Sequence, residues 1–199
     1  MTRLPIAVLI SGGGTTLRNL IRHQEQDDLP VDFRLVVSSN PQAGGIDYAT
    51  DASIPVKVIE RNGYATTADF SQTIFDACSA AGVQLVVMGG FLKHVLIPDE
   101  FTNRVINIHP SMIPNYCGKG FYGKRVHQAV IDAGESESGC TVHFVDDEYD
   151  HGPVVDQKSV PVLPDDTAES LAARVFEAEC RLLPSVIARV AKGEIALGT

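Results

Sequence analysis

The stretch Pro5-Ile6-Ala7-Val8-Leu9-Ile10, followed by Ser11-Gly12-Gly13-Gly14-Thr15-Thr16-Leu17, decides the fold. A short, unbroken apolar run reads as a strand buried on both faces. The glycines end it in a tight turn. Leu17, Leu20 and Ile21 then recur at helical spacing, so a helix follows the turn. Strand, glycine turn and helix together open a parallel α/β unit.

The same alternation runs outward along the chain. Phe33 to Val37 and Val56 to Ile59 read as the second and third strands. Thr67 to Ala81 is helical, with Phe70, Ile74, Phe75 and Cys78 on one face and Gly82 as its stop. Gln84 to Met88, bounded by Gly89-Gly90, is a fourth strand, and Val105 to Ile108 a fifth. The pattern changes after Gly139. Cys140 to Val145 and Val154 to Val162 are strand-like, and the segment between them is too short for a helical crossover. That pair is expected to be antiparallel. Thr167 to Val190 is a long amphipathic helix, with Asp165-Asp166 before it, Gly193 after it and Pro184 as a candidate kink. The expected fold is therefore α/β and Rossmann-like. Its sheet is mostly parallel, with an antiparallel C-terminal strand pair and helices on both faces. No internal repeat or linker interrupts the chain, so residues 1–199 are expected to form a single domain.

Composition narrows the function. The chain has 199 residues, 44% of them hydrophobic, and a net charge of -9. No Lys/Arg cluster offsets that acidity, which argues against nucleic acid as a partner. A small anion is still admissible, because backbone N–H groups bind phosphate without net positive charge. No apolar run reaches the ~18 residues of a membrane span, and no secretory signal pattern opens the chain. Cys78, Cys117, Cys140 and Cys180 are scattered without a C-x-x-C pair, and the histidines show no metal-ligand spacing. The expectation is a cytoplasmic protein with reduced thiols, no metal and no membrane partner, present as a monomer or homodimer.

Three segments could carry chemistry. Ser11 to Thr16 could hold an anion at the helix N-terminus, or simply turn the chain. It is neither a phosphate-binding loop ending in Gly-Lys-Ser/Thr nor the dinucleotide fingerprint, since Leu17 stands where a third Gly belongs. Asn107-Ile108-His109-Pro110-Ser111 ends the fifth strand, and strand alternation puts Asn107 and His109 on one side. An amide donor beside an imidazole could hold an oxyanion, or His109 could merely satisfy the backbone. Asp150 lies in the turn Asp150-His151-Gly152-Pro153. A carboxylate there would raise the pKa of a nearby imidazole, but spacing alone does not single it out from Asp146, Asp147 and Glu148.

Ser11 to Leu17 (SGGGTTL), Gly89-Gly90-Phe91, Asn107 to Pro114 (NIHPSMIP) and His143 to Pro153 (HFVDDEYDHGP) together resemble the phosphoribosylglycinamide formyltransferase family over almost the whole chain. The resemblance implies a formyltransferase fold and transfer of a formyl group from 10-formyltetrahydrofolate to the amine of phosphoribosyl glycinamide. It implies catalytic roles for Asn107, His109 and Asp150. It implies that Gly14, Thr15 and Thr16 hold the substrate phosphate, although the family usually has Ser-Asn where this chain has Thr-Thr. It further implies that Glu179 contacts the ribose, and that Leu92, Lys93, His94 and Val95, with Asn107, line the folate site. Where an Arg on the third helix often touches folate, this chain has Thr67.

Two relatives of the same chemistry and one rival of another class stand beside this reading. Formyltetrahydrofolate deformylase carries an extra domain before its catalytic one, and here the first strand begins near residue 4. Methionyl-tRNA formyltransferase carries an RNA-binding domain, which the acidity of this chain does not suit. A non-catalytic binder of phosphorylated ligands would have no use for Asn107, His109 and Asp150 together. Finally, Asn115 to Arg125 (NYCGKGFYGKR) is longer and richer in Gly and Lys than many members of the family. It is expected either to close as a lid, with Lys119 or Lys124 reaching the phosphate, or to be a plain surface loop.

Overall fold

A computed structural model describes residues 3–198. The apolar run from Pro5 to Ile10 lies in β1 (Leu4–Ile10), which is buried along nearly its whole length. The reason is its position: it pairs in parallel with β2 (Val31–Ser38) on one side and with β4 (Leu85–Met88) on the other. β2 in turn pairs in parallel with β3 (Val56–Val58). The glycine turn leads into α1 (Thr15–Glu25), which buries Leu17, Leu20 and Ile21. α3 (Thr67–Ala80) is capped by the Thr66 hydroxyl, which accepts the Asp69 N–H at 3.1 Å. Sequence periodicity missed α2 (Gly45–Asp51), whose short length leaves too few turns for an apolar stripe to repeat.

The chain divides into two compact units. One holds the residues up to Ile106 together with those from Ile187 onward, and the other runs from Asn107 to Val186. In the second unit β6 (Glu137–Phe144) and β7 (Val154–Pro161) are antiparallel, as their short connection requires. Gly152 is needed in that connection: a Cβ there would meet the Phe144 carbonyl oxygen at 1.9 Å. α4 (Lys124–Asp132) follows the glycine-rich loop and was not expected from the sequence. It buries Val126, His127 and Val130, and a histidine on the apolar face hid the helical pattern. The remaining elements are β5 (Val105–His109) and α5 (Ala168–Ala191), which continues through Pro184 without ending there. The strand order is β3-β2-β1-β4-β5-β6-β7, parallel in its first part with the antiparallel pair at the C-terminal end. This is the Rossmann-like α/β arrangement expected from the sequence.

Candidate active site

Alternation along β5 directs Asn107 and His109 to one side, where the turn before β7 delivers Asp150. Asp150 adopts φ 54, a left-handed conformation that Asp tolerates better than most residues. Its carboxylate is the one that meets the imidazole: Oδ2 lies 3.4 Å from His109 Nδ1. Asp146 instead accepts from exposed His151 at 2.8 Å, and Asp147 is exposed. Folding thus separates carboxylates that were equivalent in the sequence.

His109 is buried, and both its ring nitrogens face acceptors. Nε2 donates to the Tyr116 carbonyl oxygen at 2.9 Å, and Nδ1 faces Asp150. Burial lowers the pKa of His109; Asp150 and the Tyr116 carbonyl raise it, and His143 lowers it further. The net direction is down. Asp150 does raise the imidazole, as expected from the sequence, but removing an imidazolium from water outweighs one carboxylate. For Asp150, burial pushes the carboxyl up. The neighbouring His143 and His109 and the Gly118 N–H at 2.9 Å more than offset it, so the group sits below its ordinary value and is ionised.

His143 was unassigned on sequence grounds, yet it belongs to this cluster. It is buried, its Nε2 lies 3.2 Å from Asn107 Nδ2 and 3.7 Å from Asp150 Oδ1, and its Nδ1 donates to the Phe144 carbonyl oxygen at 2.8 Å. The signal available in sequence was weak: a histidine on a strand that otherwise reads as core. Glu179, on α5, is half-buried, and burial pushes its carboxyl up to about 8, so it is protonated at neutral pH. Lys124 pairs with Glu169, while Lys119 is exposed on the loop.

In the first unit, Gly14 is the N-cap of α1 at φ 69, with no side-chain cap among the described residues and no acidic residue in the first turn. The N–H groups of Thr15 and Thr16 therefore begin the helix without side-chain acceptors. Gly14 and Gly45 cross closely, since a Cβ on Gly14 would lie 2.3 Å from Gly45 Cα. Ser11 ties this turn to the segment after β4, its hydroxyl accepting the Leu92 N–H at 2.9 Å. In that segment Leu92 and Lys93 are exposed, His94 is half-buried and Val95 is buried. Thr67 does not leave its position without a cation. Arg61 Nη2 donates to Thr67 Oγ1 at 3.3 Å, and the guanidinium lies over the Phe70 ring at 5.8 Å.

A buried imidazole flanked by an ionised carboxylate and an amide donor is suited to acyl transfer. The family described as formyl transferase matches residues 4–187, and the chain belongs to it. Among curated relatives, phosphoribosylglycinamide formyltransferase of Haemophilus influenzae is 37% identical over 195 residues, covering 96% of this chain and 89% of the relative. Within the formyl transferases, the chain is thus a member of the phosphoribosylglycinamide formyltransferase family. The chloroplastic phosphoribosylglycinamide formyltransferase of Vigna unguiculata is 39% identical over 93% of this chain, which spans 60% of that relative's length. The crystal structure of glycinamide ribonucleotide transformylase 1 from Symbiobacterium toebii matches with a TM-score of 0.91 and 32% identity, over 98% of this chain and 91% of that one.

Proposed function

We propose that this chain transfers the formyl group of 10-formyltetrahydrofolate to the amine of phosphoribosyl glycinamide in purine biosynthesis, with residues 1–199 as one catalytic domain. The observation that carries the proposal is the meeting of Asn107, His109 and Asp150 around one carboxylate, with His109 Nδ1 3.4 Å from Asp150 Oδ2. Family membership and the similarity to the H. influenzae enzyme support the reaction class.

The chemistry follows from these groups. The substrate amine attacks the formyl carbon, and the carbonyl oxygen becomes an oxyanion. An N–H of Asn107 and the Nε2–H of His109 stabilise that charge, the formyl oxygen competing with the Tyr116 carbonyl for His109. The amine gives up a proton toward the Nδ1 of His109 and the Asp150 carboxylate, directly or through water. The proton passes to the folate nitrogen as the carbon–nitrogen bond to folate breaks. In this scheme His109 works from its neutral form, in keeping with its lowered pKa.

The binding roles are part of the same proposal. The N–H groups at Gly14, Thr15 and Thr16 take the substrate phosphate, favoured by the uncapped helix N-terminus. Protonated Glu179 donates to a ribose hydroxyl. Leu92, Lys93, His94 and Val95 line the folate site, with Arg61 supplying a guanidinium at Thr67. The enzyme is taken to act in the cytoplasm as a monomer or homodimer. Among the described residues no helix is long and apolar enough to cross a membrane.

Purified protein should convert 10-formyltetrahydrofolate to tetrahydrofolate only when phosphoribosyl glycinamide is present, with one formylated product per folate released. Release at the same rate without the amine would replace transfer by hydrolysis. No release under either condition would leave a binder.

A further inference from the structure

We infer that His143 is a positioning residue that fixes which way the Asn107 amide faces, and so which of its N–H bonds can serve the formyl oxygen. The inference rests on the proposed formyl transfer and adds to it a residue to which no role has been given.

Three observations carry it. The first is the tautomer. His143 Nδ1 lies 2.8 Å from the Phe144 carbonyl oxygen, which only accepts, so Nδ1 carries the hydrogen. In the neutral ring Nε2 is then bare. The second is what Nε2 meets. Asn107 Nδ2 is 3.2 Å away, nearer than Asp150 Oδ1 at 3.7 Å. A bare nitrogen accepts, so it selects the NH2 end of the Asn107 amide and turns the carbonyl end elsewhere. The flipped amide would set two lone pairs against each other. The third is the backbone. The β6–β7 register shifts between Val142, which pairs with Asp156, and His143, which pairs with Val154. The extra residue, Val155, belongs to β7, so the ladder changes step opposite His143, at the point where its side chain meets Asn107.

The consequence for Asn107 follows from counting its two N–H bonds. One is spent on His143. The other leans toward Asp150 Oδ1 at 3.5 Å, the limit of a useful hydrogen bond, and is therefore the one that an oxyanion can take over. His143 touches no reacting atom in this scheme. It acts through Asn107, by holding a two-sided amide in its donor orientation before the reaction begins, which is where preorganised donors are most effective.

The test uses the full-length protein and the variants His143→Leu, His143→Gln, Asn107→Ala and the double variant His143→Leu/Asn107→Ala. His143→Leu should lower kcat about 10- to 100-fold, the range expected for one misdirected buried donor, with KM for both substrates within about twofold. Gln can offer an acceptor oxygen in place of Nε2 and should recover most of the loss. The double variant should be no slower than Asn107→Ala alone, because a residue that acts only through Asn107 has nothing left to act on. Losses that multiply in the double variant would overturn the inference. So would a Gln variant as slow as Leu at unchanged melting temperature. Nitrogen NMR of the resting protein reads the tautomer without any turnover: a protonated Nδ1 with a bare Nε2 is expected, and the opposite tautomer overturns the inference even if the wild type proves inactive. Inactivity of the wild type with the expected tautomer would instead overturn the proposed reaction and, with it, the role of His143 in catalysis.

Discussion

Asp150 Oδ2 lies 3.4 Å from His109 Nδ1 and accepts the Gly118 backbone N–H at 2.9 Å. One carboxylate oxygen thus links the turn before β7, the end of β5 and the loop after it. The N–H of Gly118 helps keep Asp150 ionised, and burial keeps His109 below its ordinary pKa. The pair is an ionised carboxylate beside a neutral imidazole, an arrangement ready to receive a proton.

Replacement of either member should act on turnover. His109→Ala and Asp150→Asn are each expected to lower kcat about 100- to 10,000-fold with little change in KM, the range for loss of a positioned acid–base group. Asp147→Asn, at an exposed position, should stay within about twofold of wild type. Because the pKa values of His109 and Asp150 are both lowered, the acid limb of kcat should fall below 6.5, the ordinary histidine value. An acid limb above that value, or a silent Asp150→Asn, would remove the pair from the mechanism.

The glycine turn makes two substitutions informative. Gly14→Ala puts a Cβ 2.3 Å from Gly45 Cα at a residue with φ 69, so backbone must move. It should cost about 1–3 kcal/mol of stability and raise KM for the phosphorylated substrate, since overlap and left-handed strain add. Gly13→Ala meets nothing within 4 Å and should be close to neutral in melting temperature. Crystals grown with phosphate or sulfate should show the anion at the N–H groups of Gly14, Thr15 and Thr16; an anion bound elsewhere with this turn empty counts against the phosphate assignment.

Glu179 carries a pH signature of its own. Its carboxyl, raised to about 8 by burial, is a hydrogen-bond donor at pH 7 and loses that proton as pH rises through about 8. KM for the glycinamide substrate should therefore climb above pH 8 in the wild type. Glu179→Gln keeps a donor at every pH and should flatten the climb, whereas Glu179→Ala should raise KM throughout. Identical profiles for wild type and Gln would detach Glu179 from the substrate.

His127 predicts a change in stability rather than in rate. Burial, and then the charge of His109, lowers its pKa, and its Nδ1 has no partner among the described residues. The unfolded chain takes up a proton near 6.5 that the folded chain resists. Stability is therefore intact above 6.5 and falls as pH drops from there toward the lowered value. His109 acts with the same sign. Exposed His151, raised by Asp146, acts with the opposite one, its contribution being complete below 6.5 and lost as pH rises through its raised value. Between pH 7 and 5.5 the melting temperature of His127→Leu should fall less steeply than that of the wild type. It should be no lower at pH 7, because an unpartnered buried nitrogen is removed. Parallel slopes would show that His127 does not titrate in this window.

What sequence determined by itself was whatever rests on local periodicity. The apolar run of β1, the stop at Gly82 and the short connection between β6 and β7 each specify geometry through neighbours in the chain, so strand, helix and antiparallel pair were legible. So was the shared side of Asn107 and His109, which alternation along one strand guarantees. The resemblance to known formyltransferases singled out Asp150, but no physical property of the sequence did. Only tertiary structure decided that question and three others: which carboxylate faces His109, that burial outweighs that carboxylate, that Lys124 is paired with Glu169, and that His143 joins the site. The reason is physical. Coulomb and desolvation energies depend on distance and exclusion of water between residues tens of positions apart, as Asn107 and His143 are, and no local pattern encodes either quantity.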